Sequence, residues 1–357
     1  MVRTMLAIGV LAAAALAAAP SSTPAVESVP PLQQLVGQKL VVRMDGTTPS
    51  ASLLARARRG EVGGVILFGI NFDNASQLRS TTRRLQQAAA AGGRPKLLVA
   101  VDQEGGPVET VPWAPPTLSP SQMGADGSTG TARAQGQLTG RALRNLGVNT
   151  DLAPVADVPV STSSFMLRQG RTWSSSVAVT ARLASAFAGG LADRHELAAV
   201  KHFPGLGFAT RNTDREVVRI TASSSRLAPG LVPFRRAIAA GVPLVMLSNA
   251  VYEAYDRRNA AGWSRAVITG LLRRELGFRG VTITDSLDGA AHARRLPTDP
   301  LAVRAAAAGA DLILVTGSEG ASLSVYYSLV RAASDGRIGR AGLVASYRRI
   351  AALKQSL

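Results

Sequence analysis

The chain of 357 residues contains no cysteine. Disulfides, thiolate metal ligands, a cysteine nucleophile and a lipid-modified N-terminal cysteine are excluded together. Aromatic residues make up only 4%, so stacking platforms for bases are scarce. Histidine occurs three times and lysine four times, at Lys39, Lys96, Lys201 and Lys354. The other 36 basic residues are arginines, and they carry most of the formal charge of +17. They fall in short pairs such as Arg83-Arg84, Arg235-Arg236 and Arg273-Arg274, with no long basic run. Solvated helix faces in an arginine-rich composition account for this pattern better than a nucleic-acid surface.

Apolar residues reach 46% and charged ones 18%, ample for a large core. Met-Val-Arg-Thr followed by the apolar run Met5 to Ala19 reads as a secretory signal, too short for a membrane span. Residues 1–26 are therefore expected to be signal and flexible leader, and 27–357 a single domain. Within it, eight apolar runs alternate with alanine- and arginine-rich helical stretches. The expected strands are Lys39–Arg43, Gly64–Phe68, Leu97–Asp102, Asn149–Pro154, Leu197–His202, Leu244–Ser248, Val281–Asp285 and Leu312–Thr316. Expected helices include Ala75–Ala91, Thr131–Leu146, Ala178–Arg194, Gly230–Ala240, Ser264–Leu276 and Leu301–Ala308, with Gly339–Lys354 closing the outer ring. Continuous rather than alternating runs suit buried parallel strands, and the order predicts an α/β fold of the (β/α)₈ TIM-barrel type. A doubly wound open sheet is the rival, but no G-x-G-x-x-G follows the first strand.

A barrel places its chemistry at the C-terminal ends of its strands. Asp102 ends the third expected strand, Lys201-His202 the fifth and Asp285 the seventh, while Asn249 follows the sixth. Asp285, after Val-Thr-Ile-Thr, suits a nucleophile or general base; the alternative is a cap for the helix beginning at Ser286. Asp102 precedes a glycine pair that would let a ligand approach the backbone; alternatively it is a turn residue. Lys201 and His202 at a buried strand end require partners, which favours ligand binding. Glu104 and Trp173 either line the mouth or support it, and Trp113 sits in a proline-flanked surface loop.

These strings resemble the single-barrel β-N-acetylglucosaminidases of glycoside hydrolase family 3. Gly63–Phe68, Asp102-Gln103-Glu104-Gly105-Gly106, Asn149–Asp157, Lys201-His202-Phe203-Pro204-Gly205 and Glu275–Gly280 occur in that family's order. The resemblance implies that Asp285 is the nucleophile of a retaining mechanism with a covalent glycosyl-enzyme intermediate. It implies that Asp102, Arg171, Lys201 and His202 bind the sugar hydroxyls. The expected substrate is a non-reducing β-linked N-acetylglucosamine from peptidoglycan fragments, met outside the cytoplasm among anionic wall polymers. No metal or organic cofactor is implied, and a monomer is the default.

The chain departs from the family at the loop after the fifth strand. There the family carries an Asp-x-His pair whose histidine is the acid/base; here Asn212 and Asp214 stand in those places. Either Asp214 is the acid/base, or the loop is catalytically dead and the barrel survives as a glycan-binding module. Pro107 and Thr110, where the family has arginines, and Asn249, where it often has histidine, bear on sugar preference.

Overall fold

In the computed structural model, which describes residues 29–357 together with Val2, every expected apolar run contains a strand. The expected signal and leader lie outside the described residues. The strands are β1 (Leu40–Arg43), β2 (Gly64–Ile66), β3 (Leu98–Val101), β4 (Thr150–Asp151), β5 (Leu197–Phe203), β6 (Leu244–Leu247), β7 (Val281–Thr284) and β8 (Ile313–Val315). All neighbours are parallel and follow chain order, with β8 beside β1. A parallel bridge between Ile283 and Leu312 joins β7 to the start of β8 and brings the ends of the sheet together. This excludes the open doubly wound sheet. β4 is shorter than expected because Pro154 has no N–H to donate; the pairing resumes at a bridge between Val155 and Lys201.

Strand alternation divides the core in two. Val41, Ile66, Leu98, Ala100, Leu152, Ala199, Met246, Ile283 and Leu314 face inward and fill the barrel. Their neighbours, among them Val42, Val65, Val99, Val101, Val200 and Val245, face the surrounding helices. The helices Ala75–Ala91, Thr129–Asn145, Val177–Ala192, Val232–Ala239 and Thr298–Ala308 lie where the sequence predicts them, within a few residues. The stretch expected as an ordinary helix over Ser264–Leu276 is instead a π-helix over Ala266–Glu275, closed by Leu276 N donating to Leu271 O. Helices Ala51–Arg59 and Glu319–Ser334 were not expected. Thr129–Asn145 and Val177–Ala192 approach to backbone contact: a Cβ on Gly190 would overlap Arg133 O and lie 2.8 Å from Gln137 N.

One helix corrects its expected position. Arg340–Lys354 does not simply complete the outer ring, because Ile350 and Leu353 join the interior cluster and stopper the base of the barrel. Lysines hold it there. Lys354 Nζ donates to Gln38 Oε1 at 2.7 Å and Gly63 O at 2.6 Å, and Lys39 Nζ to Ala310 O at 2.7 Å and Ser346 Oγ at 2.8 Å. Burial lowers Lys354 to about 7 and Lys39 to about 8. Lys96, just before β3, is exposed and donates to Leu357 O at 2.7 Å. Among the described residues no helix is long and apolar enough to cross a membrane.

Candidate active site

The opposite end of the barrel is open. Asp102, Arg171, Lys201, His202, Asp214 and Asp285 all line one cavity of about 370 Å³, bedded on Ile66, Leu152, Met246 and Leu314. Consecutive residues of a regular strand point to opposite faces, yet Lys201 and His202 share this cavity. The pairing of β5 with β6 shifts register between Val200 and Phe203, the stretch that contains both.

Lys201 Nζ lies 2.6 Å from Asp102 Oδ1 and 2.6 Å from Glu104 Oε1. Arg171 grips the same Glu104 with a fork, Nε to Oε2 at 2.8 Å and Nη2 to Oε1 at 2.6 Å. Burial alone would raise the Glu104 carboxyl, but Lys201 and Arg171 outweigh it and hold it at about 2. Burial would likewise lower Lys201, and Asp102 and Glu104 raise it instead. Glu104 is thus a support that fixes two cations rather than a mouth residue. The Asp102 side chain keeps 26% of its surface exposed against 1% for Glu104, so Asp102 is the carboxylate available to a ligand.

His202 is oriented from behind. Its Nδ1 lies 2.7 Å from Asp157 Oδ2, which leaves Nε2 as the ring nitrogen free for a ligand. Asp157 Oδ1 also accepts from Leu206 N at 2.7 Å, so one carboxylate sets both the imidazole and the start of the next loop. Sequence reasoning gave Asp157 no role beyond ending its string. Asp285 N donates to Leu247 O at 2.9 Å as the last rung of β7. The helix that follows, Leu287–Arg294, is capped by Ser286, whose Oγ accepts from Gly289 N at 3.1 Å. Capping therefore falls to Ser286 and leaves Asp285 free to face the cavity.

The loop carrying Asp214 has no anchoring signal of its own, but it is tied to residues 157–168. Phe165 N donates to Ala209 O at 2.7 Å, and Arg168 Nη2 to Thr210 O at 2.7 Å. Gly207 packs so closely on Val158 O that any Cβ would overlap it. Asn212 Oδ1 accepts from Asp214 N at 2.8 Å, turning the chain inward. Asp214 Oδ1 is sealed from solvent and has no hydrogen-bond partner among the described residues. Burial and then repulsion from Asp285 raise its carboxyl to about 7; His202, the neighbouring Asn249 amide and Arg171 pull the other way.

Other expectations are corrected. Gly105 and Gly106 do not line the cavity: with φ of +91° and +66° they turn the short hairpin after Asp102 and pack on Pro116, Leu118 and Ser119. Trp173 is buried support, its Nε1 donating to Val155 O at 2.8 Å. Trp113 packs edge-on against Phe72. A larger cavity, about 480 Å³, lies beyond Gly205–Phe208, but Arg226 is the only ionisable residue described in its lining. Carboxylate chemistry belongs to the smaller one. Among the described residues no cluster of three or more metal-ligating side chains exists.

Residues 32–353 match the model of the glycosyl hydrolase family 3 N terminal domain. An uncharacterized secreted glycosyl hydrolase of Arthroderma benhamiae is 33% identical over 327 residues, which is 90% of this chain and 92% of that one. A beta-hexosaminidase of Alkalilimnicola ehrlichii is 34% identical over 284 residues, covering 77% of this chain and 80% of the relative. Among solved structures, the chain is similar to a family 3 beta-N-acetylglucosaminidase from a Paenibacillus, with TM-score 0.88 and 32% identity over 92% of this chain. It spans 63% of that longer protein. The closed barrel, the shared rim and these likenesses lead to one conclusion: the chain belongs to glycosyl hydrolase family 3.

Proposed function

We propose that this glycoside hydrolase is a retaining exo-β-glycosidase that removes non-reducing β-linked N-acetylglucosamine or a related sugar. The observation that carries this is the pairing of Asp285 with Asp214 in one cavity, the latter with its Oδ1 unpartnered among the described residues and its carboxyl raised to about 7. A carboxyl that holds its proton near neutrality beside a second carboxyl in the same cavity is what double displacement requires. In this reading Asp285 attacks the anomeric carbon while Asp214 gives its proton to the leaving oxygen. Asp214 then takes a proton from the water that releases the sugar from Asp285. Asp102, Lys201, His202 and Arg171 bind the hydroxyls, held in place by Glu104 and Asp157. The apolar bed of Ile66, Leu152, Met246 and Leu314 suits the face of a sugar ring. The signal-like N-terminus and the excess of arginine support action outside the cytoplasm among anionic wall polymers, where peptidoglycan fragments are the natural source of such sugars.

The test is hydrolysis of 4-nitrophenyl β-N-acetylglucosaminide and of chitobiose. Asp285→Ala should abolish turnover of both. Asp214→Ala should cost roughly 10²-fold or more on chitobiose and less in glycosylation by the activated aryl glycoside, whose leaving group needs little protonation. Full activity in Asp285→Ala overturns the mechanism. Binding of these sugars without cleavage by the wild type would instead support the glycan-binding reading.

A further inference from the structure

The helix that follows the nucleophile begins with a glycine that its backbone does not need. Gly289 sits in the first turn of Leu287–Arg294, and it is absent from the glycines with positive φ. Glycine is among the poorest helix formers, so alanine would fit this conformation better. Space supplies the reason. The three heavy atoms nearest to a Cβ built on Gly289 all belong to Asp214: its Oδ1, its Cγ at 2.6 Å and its Cβ at 2.7 Å.

The helix cannot yield to such a contact. Ser286 Oγ lies 2.6 Å from Thr316 Oγ1, and Asp288 accepts from Thr316 N at 2.6 Å and Thr298 Oγ1 at 2.9 Å. Asn249 Nδ2 donates to Ser286 O at 2.8 Å, and Arg294 Nη2 to Asn249 O at 3.2 Å. Five hydrogen bonds thus tie the helix to the ends of β6 and β8 and to the start of helix Thr298–Ala308. Asp214 is held less: its Oδ1 accepts nothing among the described residues, the Asn249 amide is the neighbour that supports its carboxyl, and the tie within its own loop is to the backbone N. A side chain at position 289 would therefore displace Asp214, not the helix.

We propose that Gly289 is a positioning residue for Asp214: its missing side chain forms the seat on which the acid/base carboxyl rests beside Asp285. The inference rests on the reading of Asp214 as acid/base and makes the helix after the nucleophile part of the proton-transfer machinery. Asp285, His202, Arg171 and Asn249 surround the seated carboxyl from β7, β5, the loop after β4 and the end of β6. Displacement would take Asp214 out of that set without touching the nucleophile.

The test compares Asp214→Ala, Asp214→Gly, Gly289→Ala and the double variant on chitobiose and on 4-nitrophenyl β-N-acetylglucosaminide, with and without azide. Gly289→Ala should reproduce Asp214→Ala: a loss of about 10²-fold or more on chitobiose, a smaller one on the aryl glycoside, and recovery with azide as glycosyl azide. The double variant, made with Asp214→Gly so that the Cβ lying 2.7 Å from the built one is also removed, should be no worse than Asp214→Gly alone, because the second change acts through a group already gone. Wild-type activity of Gly289→Ala on chitobiose beside a damaged Asp214→Ala overturns the inference and leaves the catalytic reading standing. Multiplying losses in the double variant also overturn it. Wild-type activity of Asp214→Ala on chitobiose overturns the catalytic reading itself. If Gly289→Ala lowers Tm, adding Asp214→Gly should restore it by removing the clashing atoms; failure to restore overturns the seat.

Discussion

In the proposed mechanism a carboxyl held at about 7 by burial and by Asp285 lets Asp214 donate its proton on the acid side of neutrality. A general acid must hold its proton, so kcat/KM on chitobiose should fall as pH rises through about 7. Asp214→Asn should abolish that alkaline limb together with most of the rate. Initial rates across neutrality check this, and an unchanged midpoint in the variant would assign the titration to another group. At this scale the strand-end residues were legible because a barrel sends its strand ends to one rim. Glu104 kept two open readings, at the mouth or in support, and Asp157 was not legible. They act from behind, through partners 67 and 45 residues away in sequence, and neither separation leaves a local pattern. Gly289 was equally silent, since a glycine in a helix announces a cost and not what occupies the space.

At the scale of elements, the strands were readable as buried apolar runs, while several helices escaped, Ala51–Arg59 and Glu319–Ser334 among them. Ala51–Arg59 is short, and its arginines at 56, 58 and 59 interrupt the apolar pattern set by Leu53 and Ala57. Glu319–Ser334 is rich in serine, and its N-cap Ser318 is an inconspicuous signal. The base helix was found, but its place was not, because Ile350 and Leu353 carry no mark that they enter the barrel rather than pack outside it. Helix contact gives a further prediction. Propensity alone would have Gly190→Ala stabilise by about 0.5–1 kcal/mol. The overlap with Arg133 O reverses the sign, and a loss of about 1–3 kcal/mol is expected in urea unfolding.

Over the whole molecule, stability should depend on two buried acids, Asp151 and Glu196. Both oxygens of Glu196 lack partners among the described residues, as does Asp151 Oδ2. Burial raises both carboxyls well above their usual range, and the nearby Asp151 pushes Glu196 further in the same direction. A raised folded-state pKa means that the fold favours the protonated form. That contribution is complete below about pH 4, the unfolded value, and is lost as pH rises through the folded one. Glu196→Gln should therefore raise Tm by a few degrees at alkaline pH and hardly at all near pH 4, by thermal melts across that window. A uniform shift at every pH would assign the gain to packing.

The lysines that hold the base have one more consequence, for handling the protein. Lys39, Lys201 and Lys354 are buried, which leaves Lys96 as the outward amine beyond the chain's own α-amino group. It stands ahead of β3 and beside Leu357, at the end of the barrel away from the substrate cavity. An amine-reactive ester should add one label there, seen by peptide mass mapping. A resin coupled through Lys96 would hold those molecules the same way round, with the open rim toward the solution.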